Sequence, residues 1–362
     1  MVAKGFLKFV AKRAIIVFLV IVVALYLTIL IANMGGFVDQ IIKSNLQMEI
    51  AMRYRGPEWQ GYDPKELQEL MLKEYELEIR RRGLDQPFIV RSVIYLWNAL
   101  TLDLGRAEYI TSDTGSRYVR SIILERLPWT VMLFTTANVL NFVINLFIGL
   151  YLSRHHGSKL DKLFIGLSPT SVIPGWFYGI FLILIFASQM RSICPSIALP
   201  YGGLVDVEVV SARDPVLYFL DVLKHMILPL SSWVIAAFFL GAYSNRTFFL
   251  IFSTEDYVEA ARAKGVPPRQ IETRYILRPS LPPIITGFAL NLISSWGGAI
   301  ITERVFNWPG LGTITYTAIS LFDSAVLIGV TVIYAYLLGA TVLILDILYG
   351  LIDPRIKARH GS

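Results

Sequence analysis

Six stretches of this sequence run for more than about twenty residues almost without charge, each long enough to cross roughly 30 Å of hydrocarbon. They are 14–36, 128–152, 163–190, 225–245, 281–302 and 324–345. A soluble domain needs a polar surface, and a chain that is 55% apolar and 17% charged over 362 residues cannot supply one around six such runs. The expected fold is therefore an all-α polytopic membrane protein with six transmembrane helices. A long polar segment, 37–127, separates the first from the second.

The basic residues orient these spans. Lys4, Lys8, Lys12 and Arg13 precede the first run and predict a cytoplasmic start. That run is longer than a signal-peptide core and no A-x-A site follows it, so a retained span is expected. Arg154, Lys159 and Lys162, then Arg262, Lys264, Arg269, Arg274 and Arg278, place two more loops in the cytoplasm. Asp353-Pro354-Arg355 and Lys357 return the end of the chain there, so both termini are expected inside. The resulting division is 1–36 (tail and first span), 37–127 (extracytoplasmic) and 128–359 (five further spans, with a cytoplasmic stretch at 246–280). The net charge of +6 belongs to these loops and carries no inference of a nucleic-acid partner. Cys194 is the single cysteine, so no intrachain disulfide is possible.

Within the polar segment, 63–82 has helical periodicity. Asp63 and Pro64 suit a cap and first position, and Leu67, Leu70, Met71 and Tyr75 recur on one face. In the second span Asn138, Asn141 and Asn145 lie three and four residues apart and share a helix face. The fifth span carries Gly287, Ser294, Ser295, Gly297 and Gly298, small residues that let helices approach. These asparagines and Ser294 and Ser295 either pack helices together or line a translocation path. Pro169 and Pro174 predict a kink or a break in the third span. His225 opens the fourth span and reads as an interfacial histidine rather than a ligand.

Between the fourth and fifth spans, Ser253 to Pro283 reads as helix, turn, helix. Ser253 and Asp256 have capping-box spacing, and Glu255 and Asp256 suit the positive end of a helix. Tyr257 to Lys264 are good helix formers, Gly265 fits the left-handed C′ position, and Pro267 and Pro268 fit a turn and a second helix start. Ala260, Ala261 and Ala263 leave the helix slender enough for another protein to lie close. Residues alone leave two readings, an ordinary loop helix and a docking element.

Glu259-Ala260-Ala261 followed by Gly265 resembles the EAA-x-x-x-G coupling motif of importer-type ABC permeases. Asp256-Tyr257 and Ala261-Arg262-Ala263-Lys264-Gly265 resemble the dipeptide/oligopeptide permease family, as do Gly83 to Pro87, Asp103-Leu104-Gly105, His225 to Pro229 and Thr302 to Gly312. The resemblance covers roughly 80–359. It implies a coupling helix built on Asp256, Tyr257, Glu259, Ala260, Ala261, Ala263 and Gly265, seated in a groove of a cytoplasmic ATPase. It also implies a second, homologous permease chain (a heterodimer), two ATP-binding subunits and an extracytoplasmic substrate-binding protein. ATP and Mg would be bound by the partner ATPases, in the plasma membrane of a prokaryote. The 37–127 segment and the loop containing Glu303, Trp308 and Gly310 would receive the binding protein. Cargo in that family includes peptides, with oligosaccharides and nickel among relatives.

The sequence has no G-x-x-x-x-G-K-[ST], no H-E-x-x-H, no paired-cysteine metal site and no G-x-S-x-G. No cofactor or metal is expected in this chain, and no enzyme activity. The spans hold no Asp, Glu, Lys or Arg, and His225 stands at a boundary. Carriers coupled to protons or ions use an ionisable group at membrane depth. A stand-alone channel or secondary carrier is the rival reading, and an external energy source fits the residues better.

Overall fold

A computed structural model describes residues 2–33, 37–59, 61–81, 83–297 and 299–352. Gly298 and the terminal Asp353-Pro354-Arg355 and Lys357 lie outside the described residues. The fold is all-α, and among the described residues the one extended pairing is an isolated bridge between Arg106 and Tyr118. In order, the helices are α1 (Val2–Asn33), α2 (Phe37–Arg53), α3 (Pro64–Arg81), α4 (Phe88–Leu100), α5 (Val119–Arg154) and α6 (Lys159–Leu167). Then come α7 (Gly175–Ile193), α8 (Val207–Ala212), α9 (Pro215–Ser253), α10 (Asp256–Ala263) and α11 (Pro268–Trp296). Last are α12 (Ile300–Val305), α13 (Leu311–Leu321) and α14 (Ser324–Ile352). Six of them, α1, α5, α7, α9, α11 and α14, are long and apolar enough to cross a membrane.

The chain divides into two compact units. One comprises 1–108, 118–120 and 324–362, so the last helix groups with the first four helices rather than with the four spans α5, α7, α9 and α11. Its core joins Ile21, Leu25 and Ile29 of α1 to Val332 of α14 and Ala99 of α4. Gly339 makes that approach possible: a Cβ there would stand 2.5 Å from Ile21 Cδ1. Next to this core, α2 buries Leu46 and Ile50 and packs on α3, and Arg53 pairs with Glu74 between them. Asp63 starts α3 as its residue type predicts, its Oδ1 accepting the Lys65 N–H at 3.0 Å. Leu67, Met71 and Tyr75 are half-buried on the inner face, while Leu70 points outward.

The second unit holds 109–117 and 121–323, nearly all of α5 to α13. Its longest helix, α9, has 39 residues, about 58 Å at 1.5 Å per residue, so it overshoots a bilayer core. It begins at Pro215 rather than His225 because Asp214 caps it, Oδ1 accepting from the N–H groups of Val216 (2.8 Å) and Leu217 (3.4 Å). His225 consequently lies inside a helix with its side chain 1% exposed, which corrects the interfacial reading. The third apolar run is broken at the prolines. After α6 come a 3-10 turn over Ser168–Val172 and an extended Ile173-Pro174 step, and only then α7. α7 widens into a π-helix at Ile183–Gln189, and the Phe186 carbonyl accepts from Leu199 N–H at 3.0 Å. α11 also starts early, at Pro268, and its π stretch, Ile271–Leu277, lies just before Pro279. A proline ring cannot share space with the carbonyl four residues back, and the wider turn relieves that clash.

Candidate functional site

The charged stretch between α9 and α11 folds into one short helix held by backbone geometry and a small apolar contact. Ser253 is still inside α9, where its hydroxyl donates to the Leu250 carbonyl at 2.7 Å, so it does not form the expected capping box. Glu255 occupies the N-cap position of α10 with extended backbone and makes no side-chain cap. Asp256 and Glu259 fill the first turn and Arg262 the last, the order that complements the helix dipole.

The other end of α10 closes as a Schellman motif. Val266 N–H donates to the Ala261 carbonyl at 3.2 Å and Gly265 N–H to the Arg262 carbonyl at 2.9 Å. Gly265 has φ +72° with nothing within 4 Å of a Cβ, so the glycine is required by torsion alone. Val258 and Ala261 bury against Ile271 of α11, flanked by Val266, Tyr275 and Ile276. This divides the seven expected coupling residues. Asp256, Tyr257, Glu259, Ala260, Ala263 and Gly265 are exposed, whereas Ala261 is 4% exposed and fastens α10 to its own chain.

Two ion pairs brace the elements beside α10. Arg246, near the end of α9, donates through Nε and Nη2 to both oxygens of Asp161, each at 2.7 Å. Burial on its own would raise the Asp161 pKa, but hydrogen bonds from Arg246 and the Gly157 N–H outweigh it and hold the carboxyl below its usual range. Ser158 caps α6 by accepting the Asp161 N–H at 3.2 Å. Arg154 at the end of α5 pairs with Glu272 in the π stretch of α11. In sequence, Arg154 is a topology signal and Arg246 only the edge of a polar loop. The Ser158/Asp161 spacing is a local capping signal, but nothing local marks Arg246 or Glu272 as the partners. A cleft of about 830 Å³ lies beside α10, lined by Leu150, Arg154, Arg262, Arg269, Glu272 and Ile276 among others.

The loop expected to receive a binding protein has a different construction. Glu303 and Trp308 are 0% exposed and Gly310 is buried, so these three shape the turn from beneath and are not its contact surface. The Glu303 carboxylate stands at the N-terminus of α13, where Oε2 accepts from Thr313 N–H at 3.0 Å and also faces Gly312. Its Oε1 accepts from the Thr130 hydroxyl at 2.7 Å, and that hydroxyl oxygen accepts from Leu311 N–H at 2.7 Å. Glycine at 310 leaves room for both groups: a Cβ would come within 2.4 Å of Glu303 Oε1 and of Thr130 Oγ1. Burial pushes the Glu303 pKa up to about 7, against the lowering effect of these donors. Trp308 Nε1 donates to the Trp129 carbonyl at 3.1 Å. The left-handed residue of the turn is Asn307 (φ 47°), which is exposed together with Arg304.

The asparagine face knits helices together. Asn138 Nδ2 donates to Ser295 Oγ at 3.0 Å, Asn141 to the Trp233 carbonyl at 3.4 Å and Asn145 to the Ala237 carbonyl at 3.5 Å. Asn141, Asn145 and Ser295 are buried, which removes them from any solvent-lined path in this unit, while Ser294 is exposed. Glycine opposite Asn145 is a packing requirement, since a Cβ on Gly241 would overlap the amide.

Residues 145–358 match the family model described as binding-protein-dependent transport system inner membrane component. The oligopeptide transport system permease protein AppB of Bacillus subtilis is 31% identical over 302 residues, 82% of this chain and 87% of that one. The di/tripeptide transport system permease protein DppB of Pseudomonas aeruginosa is 30% identical, covering 77% and 84%. The peptidoglycan transport system permease protein YejB of Agrobacterium fabrum is 27% identical, covering 85% and 80%. Among solved structures, an inward-facing form of the MetNI methionine ABC transporter aligns with a TM-score of 0.42 at 19% identity, covering 61% of this chain and 94% of that one.

Proposed function

The chain belongs to the binding-protein-dependent transport system inner membrane component family, a multi-pass permease subunit of an ABC importer and not an enzyme, and on that premise we propose that it forms half of a peptide translocation path. Peptides are the cargo class named for the relatives AppB and DppB. Oligosaccharides and nickel have no comparable support. In this reading a second, homologous permease chain completes the path. Two ATP-binding subunits carry ATP and Mg, and an extracytoplasmic binding protein delivers cargo. The chain sits in a prokaryotic plasma membrane with both termini inside.

The observation that carries the coupling reading is the two-sidedness of α10. Val258 and Ala261 lock one side to α11, while Asp256, Glu259, Ala260 and Ala263 are exposed on the other. A slender, charged, rigidly seated helix transmits displacement: a partner that grips the exposed side pulls on Ile271 and the start of α11. ATP-driven closure of the ATPases would differ in its contacts with α10 between two states, the condition for shifting the chain between them. The bracing pairs Asp161–Arg246 and Arg154–Glu272 would spread that pull to α6, α9 and α5. Binding-protein contact is assigned to exposed residues of 37–127 and to Arg304 and Asn307, with Glu303, Trp308 and Gly310 supporting the turn from below.

Purification of the tagged full chain from its native membranes in mild detergent, with mass spectrometry of the co-purifying chains, tests this. Recovery of two P-loop ATPases and a second six-span permease is expected, with the ATPases lost from the Glu259→Lys and Gly265→Val chains. Unchanged ATPase recovery and unchanged ATP-dependent peptide uptake in both variants would remove α10 from the coupling role.

A further inference from the structure

Away from α10, three metal-ligating side chains converge where the segment leading into α8 meets the first turns of α9. They are Asp206, Asp221 and His225, with candidate ligand atoms all within 4.8 Å of one another. His225 is the informative member. Its Nδ1 lies 2.9 Å from the Asp221 backbone carbonyl. A carbonyl only accepts, so Nδ1 is the donor of this contact and Nε2 is the nitrogen placed to ligate a cation. That nitrogen, on a side chain 1% exposed, faces Oδ1 of the half-exposed Asp206 at 3.6 Å, and Nδ1 lies 3.5 Å from Asp221 Oδ2. A ring nitrogen and a carboxylate oxygen held face to face at this spacing can share a metal cation. Ligands about 2.1 Å from a tetrahedral zinc stand about 3.4 Å apart, close to the gap observed. A ring N–H bonded to a backbone carbonyl is also the usual support of a metal-ligating histidine.

The carboxylates are arranged for the same purpose. Asp221 Oδ2 accepts the Asp206 N–H at 2.7 Å, which ties the two residues together and leaves Asp221 Oδ1 available. Lys224 is the competing cation. Its Nζ stands 3.8 Å from Asp206 Oδ2 and 3.9 Å from Asp221 Oδ1, beyond hydrogen-bond distance to either, on a side chain 46% exposed. It therefore balances charge across a gap and is free to swing outward.

We propose that Asp206, Asp221 and His225 bind a divalent transition-metal cation of the Zn²⁺ class, which pins the segment before α8 to α9. The test uses the full chain, carrying a tag without histidine, stripped with chelator in detergent and titrated calorimetrically with Zn²⁺. One Zn²⁺ per chain is expected, and Co²⁺ in its place should show the intense visible absorption of a tetrahedral site. His225→Gln and Asp206→Asn should each weaken binding at least tenfold, and Asp206 is exposed enough that its variant keeps the test valid if His225→Gln fails to fold. Lys224→Met separates the two cations: it should tighten Zn²⁺ about tenfold by removing the competitor. If the cluster is an ion-pair network only, Lys224→Met gains no metal affinity. That result would overturn the proposal, as would an absence of binding, or a stoichiometry that falls with a His155→Gln/His156→Gln chain and not with His225→Gln.

Discussion

Two turns in the second unit each depend on a glycine, and they depend on it for opposite reasons. Gly265 after α10 adopts φ +72° in open space, so its missing side chain matters only to the backbone. Gly310 before α13 has ordinary torsions (φ −102°, ψ −171°), and its missing side chain makes room for Glu303 and Thr130. The first turn leaves α10 with an exposed face and the second is a buried joint. A glycine in a motif thus carries two meanings that sequence cannot separate, and substitutions should read them apart.

The largest effect is expected from the brace beside the exposed turn. Arg246→Ala leaves Asp161 buried without its counter-charge, which should cost about 3–5 kcal/mol and appear as a large fall in the thermal midpoint of the detergent-purified chain. Because the folded Asp161 pKa is lowered, the contribution of this pair is present above the usual carboxylate range and is lost as pH falls through the folded value. A near-unchanged midpoint for Arg246→Ala would mean that the brace does not hold α6 to α9.

At the buried joint the pH dependence has the opposite sign. With a folded pKa of about 7 against an ordinary value of 4.5, Glu303 binds its proton more tightly when folded. Stability should therefore fall as pH rises from about 4.5 through about 7, by on the order of 3 kcal/mol in total. Thermal melts between pH 5 and 8 should show this slope in the parent chain and lose it in Glu303→Gln. A parent chain with no slope over that range refutes the assignment.

Gly310→Ala should then cost about 1–3 kcal/mol through overpacking against Glu303 and Thr130. Gly265→Ala should cost roughly 1–2 kcal/mol through left-handed strain, with Gly265→Asn milder because asparagine tolerates that region. The order of Ala and Asn is the sharper reading. Asparagine rescues position 265, where torsion is the issue, and does not rescue position 310, where volume is. Rescue at both positions would collapse the distinction between the two turns.

Much of the α10 turn is legible in the sequence because its determinants are local. Gly265 at C′, the acids in the first turn and the proline start of α11 are chemistry within a few residues of the bonds they make. The capping box at Ser253 fails because α9 continues through Ser253, and a hydroxyl inside a helix bonds back to its own turn. Hydropathy sets the starts of α9 and α11 later than Pro215 and Pro268 for a related reason. It marks where lipid suits a helix, and charged turns outside that zone remain helical. Glu303, Trp308 and Gly310 stand out in sequence, but whether they face outward or inward depends on Thr130, more than 170 residues away.

The sequence by itself determined the all-α membrane class, the six spans and the short helix with its glycine stop, because apolar run length and turn chemistry act over one segment at a time. Tertiary structure alone decided that Ala261 faces inward, that Asn141 and Asn145 bind helices to each other, that Asp161 finds Arg246, and that His225 is buried opposite Asp206. Each of these depends on which distant helix supplies the other half of a contact, and no local pattern of residues encodes that choice.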